Sequence, residues 1–284
     1  MTTIIKYLTI LVLLFFLTGC SDNDSKTTYK NLSQSDSLKQ AFLPIIKGVW
    51  ANADYINDVQ KTKSPFKSSD KINGIDFFQI KGVAADDTLF IPSSLNNHEG
   101  FSFTLFFESG KSTNSLKTDI PDYETKENFF DLGYECNNAD TFLFLYHFDK
   151  SNKLLSKKKY SKIRSDVAEN DNAYGLQYVV NDKLISGTYT FADTNSTNNV
   201  TFDADGSLSG FSNYKTYFIQ TDFGTGIENN IDNIYFYRDE RDSDRMAYKI
   251  SKDTLKIFEI ISADTLGIEI DFGKLKYKLV RQER

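Results

Sequence analysis

Short runs in which apolar and polar residues alternate restrict the fold of this chain more than any other feature of its sequence. Residues 101–107 read FSFTLFF, with an apolar side chain at every odd position. A period of two puts successive side chains on opposite faces of a strand, so the run is predicted to bury one face. Similar runs occur at residues 234–237, 255–260, 268–272 and 275–279. With 24 Phe, 16 Tyr and only four Pro, and no long segment of helical period, the sequence predicts an antiparallel all-β fold.

The second half of the chain repeats three landmarks of the first half in the same order. The pairs are IKGVW (46–50) with ISGTY (185–189), ADTFLFLY (139–146) with KDTLKIFE (252–259), and KYSKIR (159–164) with KYKLVR (276–281). The members of each pair lie 139, 113 and 117 residues apart. The first half is therefore predicted to contain extra loop length, placed in the polar residues 110–126. The ordered landmarks predict two copies of one β unit, at residues 44–166 and 167–284.

A motif in the first copy resembles that of a known family of barrels. Gly48-x-Trp50 on the first strand, with Arg164 at the end of the last, is similar to the lipocalin-type (calycin) barrel. In that family a Gly-x-Trp motif opens the first strand and a late Arg packs across the indole. The resemblance implies a barrel whose closed end is plugged by Trp50, with the guanidinium of Arg164 attracted to the face of the ring.

The second copy has the same pattern with one change. Gly187 and Arg281 correspond to Gly48 and Arg164, and Tyr189 stands where the first copy has Trp. The resemblance therefore implies two lipocalin-like barrels in tandem. Eight-stranded barrels either hold one small ligand or are filled by their own side chains. The fold alone does not decide between ligand binding and a scaffold whose loops bind a partner.

The N-terminus predicts export and lipidation. Lys6 precedes eleven apolar residues, YLTILVLLFFL, which suit a signal peptide but fall short of the roughly 20 residues that a membrane-spanning helix needs. Leu17-Thr18-Gly19-Cys20 resembles the lipobox of bacterial lipoproteins, in which the cysteine thiol takes a lipid before the signal is removed. The resemblance implies that residues 1–19 are cleaved and that Cys20 anchors the protein to a membrane. The alternative is an ordinary signal peptide that contains a cysteine.

The residues after Cys20 predict a tether in the cell envelope. Ser21 replaces the Asp that tends to retain lipoproteins at the inner membrane, which favours the outer membrane, with either a periplasmic or a surface-facing orientation. Residues 20–43 are mostly polar and are predicted to be a flexible tether, with one short helix that begins near Ser37.

Charge and motif content argue against several classes of function. The formal net charge is −6 and the chain has no basic stripe, so nucleic acid is not an expected partner. His98 and His147 have no second ligand at zinc spacing, and the DADG sequence of residues 203–206 lacks the remaining acids of a calcium loop. No nucleophile elbow, phosphate-binding glycine loop or Ser-His-Asp order is present, so no metal site, cofactor or enzymatic activity is predicted. One alternative remains open, a catalytic pair of carboxylates for glycoside hydrolysis that only the fold brings together.

Cys136 is the one thiol that remains after lipidation of Cys20. It can form no intramolecular disulfide, and we expect it to be buried or inert.

Two functions follow from these observations. The first is a noncatalytic lipoprotein that binds a small apolar or amphipathic ligand inside one or both barrels, suggested by Gly48-x-Trp50, Arg164 and the many aromatic residues. The second is a structural or adaptor lipoprotein that binds another envelope protein through residues 110–126 and the charged residues 239–245.

Overall fold

The described part of the chain is mostly strand. A computed structural model describes residues 32–82, 84, 86–137, 140–165, 175–192, 199–223, 230–266 and 269–282. In these residues the helices are α1 (Gln34–Ile46), α2 (Ala53–Thr62), α3 (Gly175–Leu184) and a 3₁₀ turn (Ser69–Lys71). None of the helices in these ranges combines the length and apolar character needed to cross a bilayer. Gln34–Arg284 form one compact unit.

The strands of the first half close into an antiparallel barrel. Each strand pairs with the next along the chain, and the eighth pairs with the first. The strands are β1 (Gly48–Asn52), β2 (Ile75–Ile80), β3 (Thr88–Leu95), β4 (Glu99–Ser109), β5 (Ser115–Thr118), β6 (Phe129–Asn137), β7 (Asp140–Phe148) and β8 (Leu154–Arg164). Closure leaves the sheet without a free edge.

The second half repeats this meander as an eight-stranded antiparallel sheet in which β16 pairs with β9. The strands are β9 (Gly187–Phe191), β10 (Asn199–Phe202), β11 (Leu208–Ser209), β12 (Thr216–Ile219), β13 (Asn233–Tyr237), β14 (Ser243–Ser251), β15 (Thr254–Ser262) and β16 (Ile270–Arg281). A narrow seam joins β11 to β12 through the bridge between Ser207 and Thr216. Its two hydrogen bonds, each 2.8 Å long, run from the Leu208 N–H to the Lys215 carbonyl and from the Tyr217 N–H to the Gly206 carbonyl. The predicted fold class, two antiparallel β-barrels in tandem, is confirmed.

The alternating pattern predicted from the sequence orients β4. Phe103, Leu105 and Phe107 are buried inside the first barrel, whereas Ser102 and Glu108 are exposed on the outside. The buried face packs against inward residues of other strands, as where Phe103 meets Phe78 of β2 edge to face with ring centres 6.0 Å apart.

The landmarks of the internal repeat occupy equivalent strands. They fall on the first, seventh and eighth strands of each barrel. Residues 110–126, however, are not simply extra loop length. They contain β5, which forms because Leu116 is fully buried in the core of the first barrel.

Helix α1 covers one end of the first barrel. It begins at Gln34 and so occupies residues 34–43 of the segment predicted as a tether, with Ser37 inside the helix and not at its cap. The helix forms because Leu38, Phe42 and Ile46 recur every four residues and pack against the core of the barrel. Helix α3 precedes β9 as α1 precedes β1, so the helix belongs to the repeated unit.

Candidate functional site

An aromatic plug closes the α1 end of the first barrel. Trp50 is fully buried, and its Nε1–H donates to the Ile46 carbonyl at 2.7 Å. The Lys162 ammonium lies 4.7 Å from the centre of the indole and donates to the Ile45 carbonyl at 3.1 Å. The Arg164 guanidinium, which the resemblance assigned to the indole, lies 5.3 Å from the ring of Tyr178 in α3. Lys162 therefore fills the place predicted for Arg164.

The second barrel is plugged by the same arrangement with different side chains. The Tyr189 hydroxyl donates to the Ile185 carbonyl at 2.7 Å. Arg281 lies over the Tyr189 ring at 5.2 Å, donates to the hydroxyl from Nε and Nη2, and donates from Nη2 to the Leu184 carbonyl at 2.7 Å. In both barrels the aromatic side chain donates to the carbonyl of the residue four positions before it. The cationic side chain donates to the carbonyl of the residue five positions before the aromatic one.

Glycine opens the first strand of each barrel for a steric reason. The φ angles of Gly48 and Gly187 are 134° and 144°, a region that residues with a Cβ rarely adopt. At Gly48 a Cβ would also lie 2.5 Å from the Arg164 carbonyl oxygen. The glycine lets β8 approach β1 closely, just below the plug.

A cavity of about 520 Å³ lies at the other end of the first barrel. We call it the mouth cavity. Its lining is largely apolar, with a few polar groups on one side, and comprises Asn73, Gly74, Ile75, Leu95, Phe101, Ile120, Pro121, Asp122, Tyr123, Glu124, Phe130, Leu145, His147, Ser156 and Lys158. Below it the barrel is filled by Phe78, Phe103 and Tyr160, and the Tyr160 hydroxyl donates to the Ile75 carbonyl at 3.0 Å.

Asp122 holds the loop that borders the mouth cavity. Its Oδ1 accepts the backbone N–H groups of Glu124 (2.8 Å) and Thr125 (3.0 Å), and its Oδ2 accepts Asn128 Nδ2 and lies 2.8 Å from His147 Nε2. The bond from Thr125, followed by the bond from Asn128, holds the pKa of Asp122 well below its ordinary value. The carboxylate is therefore ionised and ties residues 122–128 to the imidazole in β7.

His147 and Lys158 form the polar side of the mouth cavity. The imidazole of His147 stacks on Phe130 with ring centres 4.3 Å apart, which fixes its orientation. The Lys158 ammonium donates to the Asn73 and Ile75 carbonyls, and burial lowers its pKa. Among the described residues Lys158 has no carboxylate within ion-pair distance. The mouth cavity therefore combines an apolar wall with the half-buried ammonium of Lys158, the imidazole of His147 and the carboxylates of Asp122 and Glu124.

The remaining residues singled out in the sequence lie apart from the mouth cavity. Cys136 is exposed, which excludes the buried alternative of the prediction and leaves the inert one untested, and its Sγ lies 3.6 Å from Thr141 Oγ1. His98 bonds Asp222 at 2.7 Å on the surface. Residues 203–206, which lack the acids of a calcium loop, form the turn between β10 and β11.

The structure bears on two further features considered in the sequence, the charged residues 239–245 and metal binding, and a third lies outside its described residues. Residues 239–242 form the turn between β13 and β14. In the described ranges no three His, Cys, Asp or Glu side chains are grouped so as to hold a metal ion. Residues 1–19 and Cys20 lie outside the described residues.

Comparison of the chain with models of protein families, with curated proteins and with solved structures finds no match. Inferences about function therefore depend on the residues and on their geometry.

Proposed function

We propose that this protein is a membrane-anchored, noncatalytic lipoprotein of the cell envelope that binds a small apolar or amphipathic ligand in the mouth of its first barrel. The observation that carries the proposal is the mouth cavity. Its volume of about 520 Å³ lies within the range of about 300 to 1,000 Å³ that is usual for ligand pockets.

The lining of the mouth cavity supports an amphipathic ligand. Ile75, Phe101 and Leu145 provide apolar walls for a hydrocarbon or ring system. His147 and Lys158 are held by their own hydrogen bonds at one side, where they can meet a polar or anionic end of the ligand. A few fixed polar groups in an apolar pocket orient a ligand and select for it.

The second barrel is a weaker candidate for the same role, because aromatic side chains fill its interior. Phe202, Phe211 and Phe236 are fully buried and contact one another, with ring centres between 5.1 and 6.5 Å apart. Tyr217 packs edge-on against Phe202 at 5.1 Å. The proposal therefore assigns the ligand to the first barrel alone.

Blocking the mouth should abolish binding. Ser156 lines the mouth cavity opposite His147, so Ser156→Phe places a ring in the space for the ligand. The neutral probe N-phenyl-1-naphthylamine is expected to bind at least tenfold more weakly to this variant than to the parent in a fluorescence titration. Titrations use residues 20–284 with Cys20→Ser, expressed without the signal peptide and called the Cys20→Ser chain, so that no detergent micelles compete for the probe.

Ser102→Phe is the matched control, because Ser102 is exposed on the outside of β4 in the same barrel. It introduces the same ring and should leave the affinity unchanged within twofold. Equal affinity of the parent and Ser156→Phe would exclude the mouth cavity as the binding site.

The lipid anchor has its own test. A diacylglycerol and a further acyl chain on Cys20 bury enough methylene groups, each contributing about 0.8 kcal/mol, to hold a protein at a bilayer. Wild-type protein is expected in the detergent-rich phase of a cloud-point extraction, and residues 20–284 carrying Cys20→Ser, expressed without the signal peptide, are expected in the aqueous phase. Cys136→Ser removes the other thiol and should remain with the detergent. Aqueous partitioning of the wild type would contradict the anchor.

A further inference from the structure

A second cavity lies between the segment that follows α2 and the strands β14 to β16. Its volume is about 660 Å³, larger than that of the mouth cavity. We call it the lysine cavity. Its lining comprises Thr62, Lys63, Ser64, Phe66, Lys67, Asn230, Ile231, Asp232, Tyr248, Lys249, Ile250, Ser251, Lys256, Phe258 and Phe272.

Four lysines line the lysine cavity, and the described lining contains one carboxylate, that of Asp232. Lys63, Lys67, Lys249 and Lys256 form no ion pair with any carboxylate in the described part of the chain. The chain as a whole carries a net charge of −6, so this local excess of basic side chains runs against its overall charge. Like charges that line one concave surface reinforce one another and concentrate anions there.

The one carboxylate in the lining is already bonded to its neighbours. Asp232 Oδ1 accepts the Phe66 N–H at 2.9 Å, and the Ser64 hydroxyl also bonds the carboxylate. Burial raises the pKa of Asp232, and the nearby Lys67 ammonium partly opposes that rise. The excess of positive charge in the cavity is therefore left for a ligand.

Aromatic rings line the same space. Phe258 and Phe272 meet edge to face with ring centres 5.3 Å apart. The Lys249 ammonium lies 3.7 Å from the centre of the Phe272 ring, so cation–π attraction holds this charge beside an apolar surface. An anionic group could pair with Lys249 while an attached ring packs on Phe258 and Phe272.

We infer that the lysine cavity binds a small organic anion that carries an aromatic or other apolar body. A simple inorganic anion would leave the phenyl rings unused, and a neutral ring would leave four ammonium groups uncompensated. The volume suits a single small molecule. This inference concerns a site separate from the mouth cavity and does not depend on the function proposed for it.

Two probes with the same ring skeleton test the inference. 8-Anilinonaphthalene-1-sulfonate carries a sulfonate, and N-phenyl-1-naphthylamine lacks it. Both are titrated into the Cys20→Ser/Ser156→Phe chain, in which the mouth is blocked, so that failure at one site is distinguishable from failure at the other. The sulfonate probe is expected to bind at least fivefold more tightly than the neutral probe, and its affinity should fall as salt is added.

The double substitution Lys67→Gln/Lys249→Gln in that background is expected to weaken binding of the sulfonate probe at least tenfold and to change binding of the neutral probe less than twofold. The matched control, Lys153→Gln/Lys276→Gln, removes the same charge at exposed positions outside the cavity and should leave both affinities unchanged. All four lysines are exposed at the surface, so each variant should retain the parent's thermal midpoint. An equal loss in both pairs, or no loss in the cavity pair, would overturn the inference.

Discussion

Trp50→Ala is expected to lower the free energy of unfolding by about 3–5 kcal/mol, the usual effect of removing a large aromatic side chain from a core. Trp50 is fully buried, so the substitution leaves a cavity at the closed end of the first barrel. It also removes the hydrogen bond to the Ile46 carbonyl and the ring beneath the Lys162 ammonium. A partly buried cation without that ring adds to the loss.

Urea denaturation followed by circular dichroism measures this change. Phe90→Ala is the control, because Phe90 is an aromatic residue of the same barrel with 64% of its surface exposed. Its substitution should change stability by no more than about 0.5 kcal/mol. Comparable losses in the two variants would show that the indole does not hold the barrel closed.

The second large effect is expected to be a dependence of stability on pH that arises from Asp76. This carboxyl in β2 has no exposed surface. Its Oδ2 accepts the Asn97 N–H and the Ser94 hydroxyl, while Oδ1 has no hydrogen-bond partner among the described residues. Burial raises the pKa of Asp76 to about 7, although the nearby Lys158 ammonium partly opposes that rise.

The sign of the effect follows from proton linkage. Between the ordinary carboxyl pKa and about 7, the folded protein keeps the proton on Asp76 and the unfolded chain releases it. Stability therefore falls as the pH rises through this interval and levels off above it. Each unit of pKa difference corresponds to about 1.4 kcal/mol, so the loss between pH 4 and pH 8 is on the order of 2–4 kcal/mol.

Asp76→Asn isolates this contribution, because an amide keeps the shape of the carboxyl and does not titrate. Below about pH 4 the free energy of unfolding of the variant should change with pH as that of the wild type does. Between pH 4 and pH 8 the wild type should lose stability relative to the variant. The difference between two urea denaturation series removes the contribution of titratable groups that do not interact with Asp76. Lys158 does interact with it, so the coupling between the two groups is part of the measured effect. If Asp76→Asn shows the same dependence of stability on pH as the wild type, groups other than Asp76 cause that dependence.

Local patterns predicted the repeat and several of the strands, although the runs at residues 268–272 and 275–279 both contribute to one strand, β16. The alternation in residues 101–107 predicts which face of β4 is buried, because a strand has only two faces and the apolar side chains of this run lie mostly on one of them. The landmarks IKGVW and ISGTY predict equivalent first strands, and the aromatic residues Trp50 and Tyr189 do occupy equivalent positions.

The pairing of the later landmarks was less accurate, because a shift of one residue exchanges the two faces of a strand. Matching ADTFLFLY with KDTLKIFE equates Phe142 with Leu255. In the structure Leu255 is buried in the core of the second barrel, whereas Phe142 lies under Lys159 on the outside of the first. The sequence similarity located the strand correctly and its register incorrectly.

The cation over the indole was missed for a similar reason. A β-bulge separates Val49 from Trp50, so Arg164 pairs with Val49 while Trp50 faces Lys162. The second barrel has no such bulge where Tyr189 faces Arg281. Lys162 lies two residues before Arg164 in the same basic strand, but no pattern in the sequence predicts the bulge.

The sequence by itself determined the class of fold, the tandem repeat and the glycine and aromatic residue that open each barrel, because these depend on periodicity and local sterics. It also predicts the signal peptide and the lipid on Cys20, which remain predictions. Only the tertiary structure decided which cation covers each plug, that the mouth of the first barrel is hollow, and that four lysines surround one cavity. These features join residues far apart in the chain, and strand register and side-chain volume, which no local pattern specifies, determine whether such residues meet.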